Sequence, residues 1–232
     1  MPIAFDAASS ATKSSGTVTT VSWSHTVATS ADSILIVASG VASGQSSLVN
    51  TTAISYAGSA FTKAVTARNL VTATSVVYVA ELWYLLNPTA GTTLINVTFG
   101  NSSLGGPQGL LAASFTGTTG IGVTAGSTGV SSTPSQAITL STGGSWSICA
   151  VKGNVTVLLT TVSGETIRVA STIGTNYSGL GNAAPGSSGA NTFNFTGGGS
   201  QPFAIVALDL IPTTVVAGGD ARRLRALCGV GI

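Results

Sequence analysis

Few side chains in this sequence could perform acid–base or nucleophilic chemistry. The 232 residues include one histidine, two cysteines and six acidic residues. A nucleophilic serine needs a neighbouring base, and His25 is the only imidazole that could serve. His25 lies in the alternating segment TVSWSHTV and shares a face with Trp23 and Val27, as in a half-buried strand. We therefore predict a packed His25 with one hydrogen-bond partner, and no enzymatic activity.

The carboxylates are equally sparse. Glycoside hydrolysis uses a pair of carboxyl groups, and Glu81 is the best candidate acid because burial within the apolar segment VVYVAELWYLL would raise its pKa. We favour the alternatives, which are an ion pair with Lys63 or Arg68, or a solvated side chain. The aspartates are scattered singly, so no calcium site is expected. Because phosphate-binding glycine motifs and a nucleophile elbow are missing, we predict no catalytic residue, no cofactor and no metal.

The charge pattern limits the possible partners. Charged residues make up 6% of the chain, and the net charge of +2 comes from the C-terminal arginines. A nucleic-acid-binding protein would carry a basic face over its folded body, so we predict no nucleic-acid partner. The apolar runs are shorter than a membrane span, and MPIAFDAASS lacks the regions of a signal peptide. We therefore expect no membrane partner.

The two cysteines carry little information about chemistry. Cys149 and Cys228 are too few and too far apart for a disulfide framework or a zinc site. Cys149 lies in the apolar segment SWSICAV, where a free cysteine behaves as a small buried side chain. The sequence also allows a single disulfide between Cys149 and Cys228.

The elements that would position these residues are strands. Alternating or continuous apolar segments recur between Gly, Asn, Pro and Ser, and helix patterns are nearly absent. The runs SILIVASGV and SVVYVAELWYLL predict central strands covered on both faces, and Asn87-Pro88 with Gly91 predicts a turn after the second. This spacing predicts an all-β fold: an antiparallel β-sandwich of jelly-roll type, one domain over residues 1–212. The expected core aromatics are Trp23, Trp83, Phe99, Phe115, Trp146 and Phe203.

One internal stretch departs from the strand pattern. Residues 174–201 are rich in Gly, Ser, Asn and Ala around one short strand candidate at 192–195. Long segments of this kind are usually functional loops or disordered, so we predict a contact loop here. Its candidate contact residues are Tyr177, Phe193 and Phe195, and Tyr56 could join Tyr177 and Phe193 in an aromatic sugar-binding surface.

The C-terminal end is the other exception. Residues 213–232 are predicted to form an assembly tail in which Asp220 caps a short helix of one or two turns that ends near Gly229. A helix this short is marginal in water, so it would need a surface to dock on. The predicted assembly-interface residues are Arg222, Arg223, Leu224, Arg225 and Leu227.

Several segments in order give the chain a resemblance to a known type of module. They are AFDAASSATKSSGTVTTVSWSHTV, ILIVASGV, ISYAGSAFTKAV, VAELWYLLNPTAGTTLINVTF and GLLAASFTG, with AIVALDLIP at the end. Over residues 4–212 the chain resembles a jelly-roll β-sandwich module of bacteriophage structural proteins and some bacterial surface proteins. The shared residues are packing and turn residues, so the resemblance implies a fold and a virion or surface setting and carries over no catalytic residue.

The sequence and the resemblance lead to two alternative predictions of function, which belong to different classes. The first is a bacteriophage virion structural protein, a capsid decoration protein made in the bacterial host cytoplasm and located in the virion. Its partners would be copies of itself, as a homo-oligomer, and other virion proteins. The alternative is a fibre or spike adhesin module that binds host surface polysaccharide through a shallow polar surface and the 174–201 loop. An enzyme acting on polysaccharide ranks below both, because paired acids are not apparent.

Overall fold

The described part of the chain is built from antiparallel β-strands and contains no helix. The computed structural model describes residues 2–13, 16–17, 19–43, 50–100, 103–104, 108–154, 160–161, 165–173, 176–183, 189–196 and 199–213. The predicted assembly tail lies outside these ranges except for Thr213. The tail residues Arg222, Arg223, Leu224, Arg225 and Leu227 and the predicted helix therefore remain predictions.

Gly117 divides the strands into two halves. Within the described residues, the N-terminal half contains β1 (Ala4–Lys13), β2 (Gly16–Thr17), β3 (Thr20–Val27), β4 (Ser33–Ser43), β5 (Thr51–Tyr56), β6 (Ser59–Ala60), β7 (Thr62–Val71), β8 (Val76–Leu86), β9 (Gly91–Phe99), β10 (Ser103–Leu104) and β11 (Gln108–Thr116). The C-terminal half contains β12 (Thr118–Ser131), β13 (Ser135–Thr139), β14 (Trp146–Gly153), β15 (Thr160–Thr161), β16 (Glu165–Ile173), β17 (Asn176–Ala183), β18 (Ala190–Thr196) and β19 (Gln201–Pro212).

Each half forms a five-stranded inner sheet and a smaller outer sheet. The N-terminal inner sheet has the order β1-β11-β4-β8-β7, and its outer sheet has the order β3-β9-β5-β6. The C-terminal inner sheet has the order β12-β19-β14-β17-β16, and its outer sheet has the order β13-β18-β15. Strands β2 and β10 form a separate two-stranded ribbon.

The two halves repeat one strand order. Taken along the chain, β1, β3, β4, β5, β7, β8, β9 and β11 correspond to β12 through β19, and this mapping converts both N-terminal sheet orders into the C-terminal ones apart from β6. The inner sheets pack on each other with β1 against β16, β7 against β12 and β4 against β14. Because β1 corresponds to β12 and β7 to β16, the contact is reciprocal, as in a two-fold symmetric dimer.

The four sheets stack in the order outer, inner, inner, outer and enclose three apolar cores. The central core lies between the inner sheets, and the N-terminal and C-terminal cores lie between each inner sheet and its outer sheet. Representative members are Ile36, Leu82, Phe115, Ile148 and Val206 in the central core, Trp23, Trp83 and Phe99 in the N-terminal core, and Phe193, Phe195 and Phe203 in the C-terminal core.

This stacking explains the continuous apolar strands. An inner strand is covered on both faces, so both sets of alternate side chains are buried. Every residue of β4 is buried, and β8 is buried from Val77 to Trp83. The prediction of central strands for these two segments is confirmed, as is the all-β antiparallel architecture. The jelly-roll connection stays a prediction.

The structure also contains the predicted turn after β8 and most of the predicted aromatic core. Asn87 (φ 47°) and Gly91 (φ 110°) adopt left-handed backbone conformations in the predicted turn after β8. Of the six expected core aromatics, five are buried and Trp146 is half-buried against the central core. The two halves share this central core, and the division of the chain into a domain over residues 1–212 and a tail over residues 213–232 stays a prediction.

Candidate functional site

His25 lies at the centre of a buried hydrogen-bond network in the N-terminal half. Its Nδ1 is 2.7 Å from the Ser9 Oγ, and its Nε2 is 3.2 Å from the Ser114 Oγ. The Ser114 hydroxyl donates to Asp6 Oδ2 at 2.7 Å, and Trp23 Nε1 donates to the Ser9 Oγ at 2.9 Å. The network therefore joins β1, β3 and β11 at the seam between the inner and outer sheets.

The known donors and acceptors show which group can donate in each hydrogen bond of this network. Trp23 donates to Ser9 and Ser114 donates to Asp6, so Ser9 can donate to Nδ1 and Nε2–H can donate to Ser114. This arrangement uses the neutral Nε2–H tautomer of His25. Burial lowers the pKa of the His25 imidazole, and the Asp6 carboxylate offsets part of that effect. A neutral imidazole therefore satisfies every bond of the network.

The geometry favours a structural role for His25 over catalysis. A serine nucleophile needs a base that a third group orients, with space for a substrate beside the hydroxyl. Asp6 reaches the imidazole only through Ser114, and the Ser9 Oγ also accepts from the buried indole of Trp23. The prediction of a packed histidine is confirmed, but the structure gives its ring two hydrogen-bond partners instead of one.

Glu81 forms the ion pair that the sequence favoured. Its Oε1 is 2.7 Å from Lys63 Nζ, and Trp83 Nε1 donates to Oε2 at 3.2 Å. The Lys63 ammonium also lies 4.7 Å from the centre of the Trp83 ring and donates to the Thr51 carbonyl at 3.4 Å. The carboxylate is buried and the ammonium is partly exposed. Glu81 is thus engaged by a cation and an indole, which suits a packed ion pair.

Lys152 is a buried amine that the sequence analysis missed. It lies on β14 at one end of the central core, with 1% of its surface exposed, and its Nζ donates to the Ser178 Oγ at 3.4 Å. Burial lowers the pKa of Lys152 to about 7. Gly40, on the corresponding strand β4, leaves the room it needs, since a Cβ there would stand 3.3 Å from the Lys152 Cδ.

The predicted contact loop is wrong. Most of residues 174–201 form strands β17 and β18, and Tyr177, Phe193 and Phe195 are buried in the C-terminal core with at most 2% of their surface exposed. Tyr56 is also fully buried, so these side chains cannot form an aromatic sugar-binding surface. Two of the glycines that suggested a loop, Gly179 and Gly181, lie on β17 in close contact with their neighbours. A Cβ on Gly179 would stand 2.6 Å from the Tyr177 hydroxyl, so the ring requires a glycine there.

The outward faces of the stack carry hydroxyl groups in place of charges. The strands of both outer sheets contain no Asp, Glu, Lys or Arg, within the ranges that the structure describes. On β3 the exposed side chains are Thr20, Ser22, Ser24 and Thr26. Ser22 donates to Asn96 Oδ1 at 2.7 Å, and the hydroxyls of Thr26 and Thr92 lie 2.8 Å apart. These paired side chains make a polar, uncharged surface.

The described ranges contain no group of three or more His, Cys, Asp and Glu residues that could hold a metal ion. No helix in them is long and apolar enough to cross a membrane. Cys149 is a free, buried thiol whose pKa burial raises, in agreement with its predicted packing role.

Comparison with known proteins does not assign a family. No protein-family model, curated protein or solved structure matches this chain. The resemblance to bacteriophage modules therefore depends on the sequence segments alone.

Proposed function

We propose that this protein is a bacteriophage virion structural protein that decorates the capsid surface and acts through subunit–subunit contacts. Its partners are copies of itself and other virion proteins. The observation that carries the proposal is the pair of outward faces, whose described strands present Ser, Thr and Asn side chains and contain no charged residue. Removing charges from water is costly unless they are paired, so uncharged faces lower the cost of association.

The layered architecture supports the same role. Four stacked sheets, spaced roughly 10 Å apart, make a body in which both inner sheets are buried on two faces. Such a body presents fixed surfaces and loses little conformational freedom on binding. Repeated weak contacts in a symmetric shell add up to strong attachment. A rigid, weakly charged block is suited to that kind of assembly.

The predicted tail supplies the second part of the proposal. Leu224 and Leu227 would dock on a neighbouring subunit, and Arg222, Arg223 and Arg225 would pair with acidic groups there. β19 ends at Pro212, and the N–H of Thr213 donates to the Gly117 carbonyl at 2.9 Å. The tail therefore starts from the junction between the two halves.

Deletion of residues 214–232 tests the tail, because it retains Thr213 and its hydrogen bond. The truncated chain should keep the melting temperature and circular dichroism of the full chain but fail to join particles in a reconstitution assay. A full-length variant with Leu224→Ser and Leu227→Ser is the matched control, and it should show the same defect. Full incorporation of the truncated chain would contradict the role of the tail.

The second candidate is an adhesin module that binds host surface polysaccharide. The uncharged hydroxyl faces favour it too, since Ser, Thr and Asn can hydrogen-bond to sugar hydroxyls. The buried Tyr177, Phe193 and Phe195 cannot contribute, so the contact would have to use β3 and β9. A glycan array with the full chain separates the candidates. Specific glycan binding that Asn96→Ala and Thr26→Ala abolish, without particle association, would favour the adhesin.

A further inference from the structure

The C-terminal inner sheet ends on one side at β12, and the composition of this edge strand is unlike that of the other three inner-sheet edge strands. Among the described strands, β12 pairs with β19 on one side and with none on the other. It is 14 residues long and contains no charged residue and no proline. An exposed edge of this kind is a template for pairing with another strand, and proteins usually protect such edges with charge.

The backbone of β12 presents its hydrogen-bonding groups to the open side at alternate residues. Pro202 stands opposite Val130 in the ladder, and its carbonyl accepts from Asn154 on the other side of β19. The N–H and C=O of Val130 therefore point away from β19. Alternation gives the same orientation to Thr124, Gly126 and Thr128, because the register is regular from Thr124 to Ser131. Four residues thus present backbone groups that pair with no other strand in the described part of the chain.

We propose that two copies of this chain pair their β12 strands antiparallel about a two-fold axis at Ser127. In this register Thr124 faces Val130 of the second copy, and Gly126 faces Thr128. All four residues then form hydrogen-bonded pairs, and the C-terminal inner sheets of the two copies become one continuous sheet. Ser127 meets its own counterpart across the axis.

A second copy is the occupant that the charges favour. Symmetric pairing brings the residues beside the two-fold axis close to their own counterparts, so a charged side chain near the axis is repelled by its own copy. The other three edge strands of the inner sheets carry Asp6 and Lys13, Lys63 and Arg68, or Glu165 and Arg168. Of the four inner-sheet edge strands, β12 alone has no charged side chain.

Exposed apolar side chains lie on the same side of the stack. Val130 is 63% exposed, and Leu70 on β7 is 46% exposed. Asn69, next to Leu70, donates to the Gly129 carbonyl at 2.7 Å, which holds the two edges together. Contact with a second copy would cover apolar area that water now reaches.

This inference rests on the proposed function, because it names one of the contacts through which the copies would assemble. The two can fail separately. Particles that contain the chain without a β12 contact would leave the proposed function standing. A β12 dimer that never enters particles would leave the inference standing and remove the function.

Sedimentation of the full chain over a range of concentrations is the first test. Wild type should self-associate, and Thr128→Lys should weaken the dimer by roughly two- to fivefold in Kd, because the two lysines lie diagonally across the axis. Ser10→Lys, which changes an exposed hydroxyl on edge strand β1, is the matched control and should associate like wild type. A wild type that stays monomeric, or variants that behave alike, would overturn the proposal.

Disulfide trapping tests the register in a Cys228→Ser background. Opposed residues in a non-hydrogen-bonded pair lie close enough for a disulfide, so Ser127→Cys should give a covalent dimer under mild oxidation. Ala125→Cys should not, since Ala125 would lie opposite Gly129 and far from its own counterpart. Equal trapping at both positions, or none at Ser127→Cys, would contradict pairing about Ser127.

Discussion

Replacing Lys152 with methionine is expected to raise the free energy of unfolding near neutral pH and to remove most of its pH dependence above pH 7. The amine is buried at the end of the central core, and burial lowers its pKa to about 7 from an ordinary value of 10.5. Between these values the unfolded chain holds a proton that the folded chain has released. Stability must therefore rise with pH through this window.

The magnitude follows from the two pKa values. Each unit of difference corresponds to about 1.4 kcal/mol, so the full penalty at acidic pH is roughly 5 kcal/mol. Between about pH 6.5 and pH 8.5 the wild-type chain should gain about 2 kcal/mol from Lys152. His25 contributes with the same sign, but only near and below its unfolded pKa of about 6.5, because its folded pKa is lowered.

Urea denaturation at several pH values measures this dependence. Wild type should gain stability towards pH 8.5, Lys152→Met should show a nearly flat profile above pH 7, and Lys13→Met, a half-buried lysine of β1, should keep the wild-type profile. The range stops at about pH 8.5 because Cys149, whose pKa is raised by burial, opposes the trend above it. A wild-type profile that is flat, or that falls with pH, would refute the reasoning about Lys152.

Three further changes probe the buried polar groups. Ser114→Ala should cost roughly 1–3 kcal/mol in urea denaturation, because the His25 Nε2–H loses its acceptor; an unchanged stability would show that the network adds nothing. Glu81→Gln should cost roughly 1–3 kcal/mol, and adding Lys63→Met should recover part of it; a double variant no better than the single one would argue against the ion pair. Tyr177→Phe should stabilise the chain by about 1 kcal/mol in thermal unfolding, since the hydroxyl has no partner among the described residues, and a loss would contradict this.

The sheet architecture could be predicted because it depends on local patterns. Continuous apolar runs identified β4 and β8 as strands covered on both faces, and the alternation around His25 identified β3. The strand order that the two halves of the chain share could not be predicted in the same way. Corresponding strands share burial but little sequence: the inner strand β4 ends in small residues around Gly40, while β14 carries Lys152 at the same end of the central core.

The buried polar network around His25 also could not be predicted from local sequence patterns. The His25 network joins Asp6, Ser9, Trp23 and Ser114 from three strands, and only the fold brings these together. Glycine content indicated a loop where the chain forms β17 and β18, because glycine serves close packing as well as turns. Sequence pattern alone does not distinguish these two uses.

Electron microscopy of native phage particles, with the copy number of this chain, is the decisive test of the capsid-decoration role. We expect many symmetry-related copies on the head surface, with their uncharged faces and the β12 edge in contact with neighbouring subunits. A few copies at a single vertex, or particles that lack the chain altogether, would contradict that role.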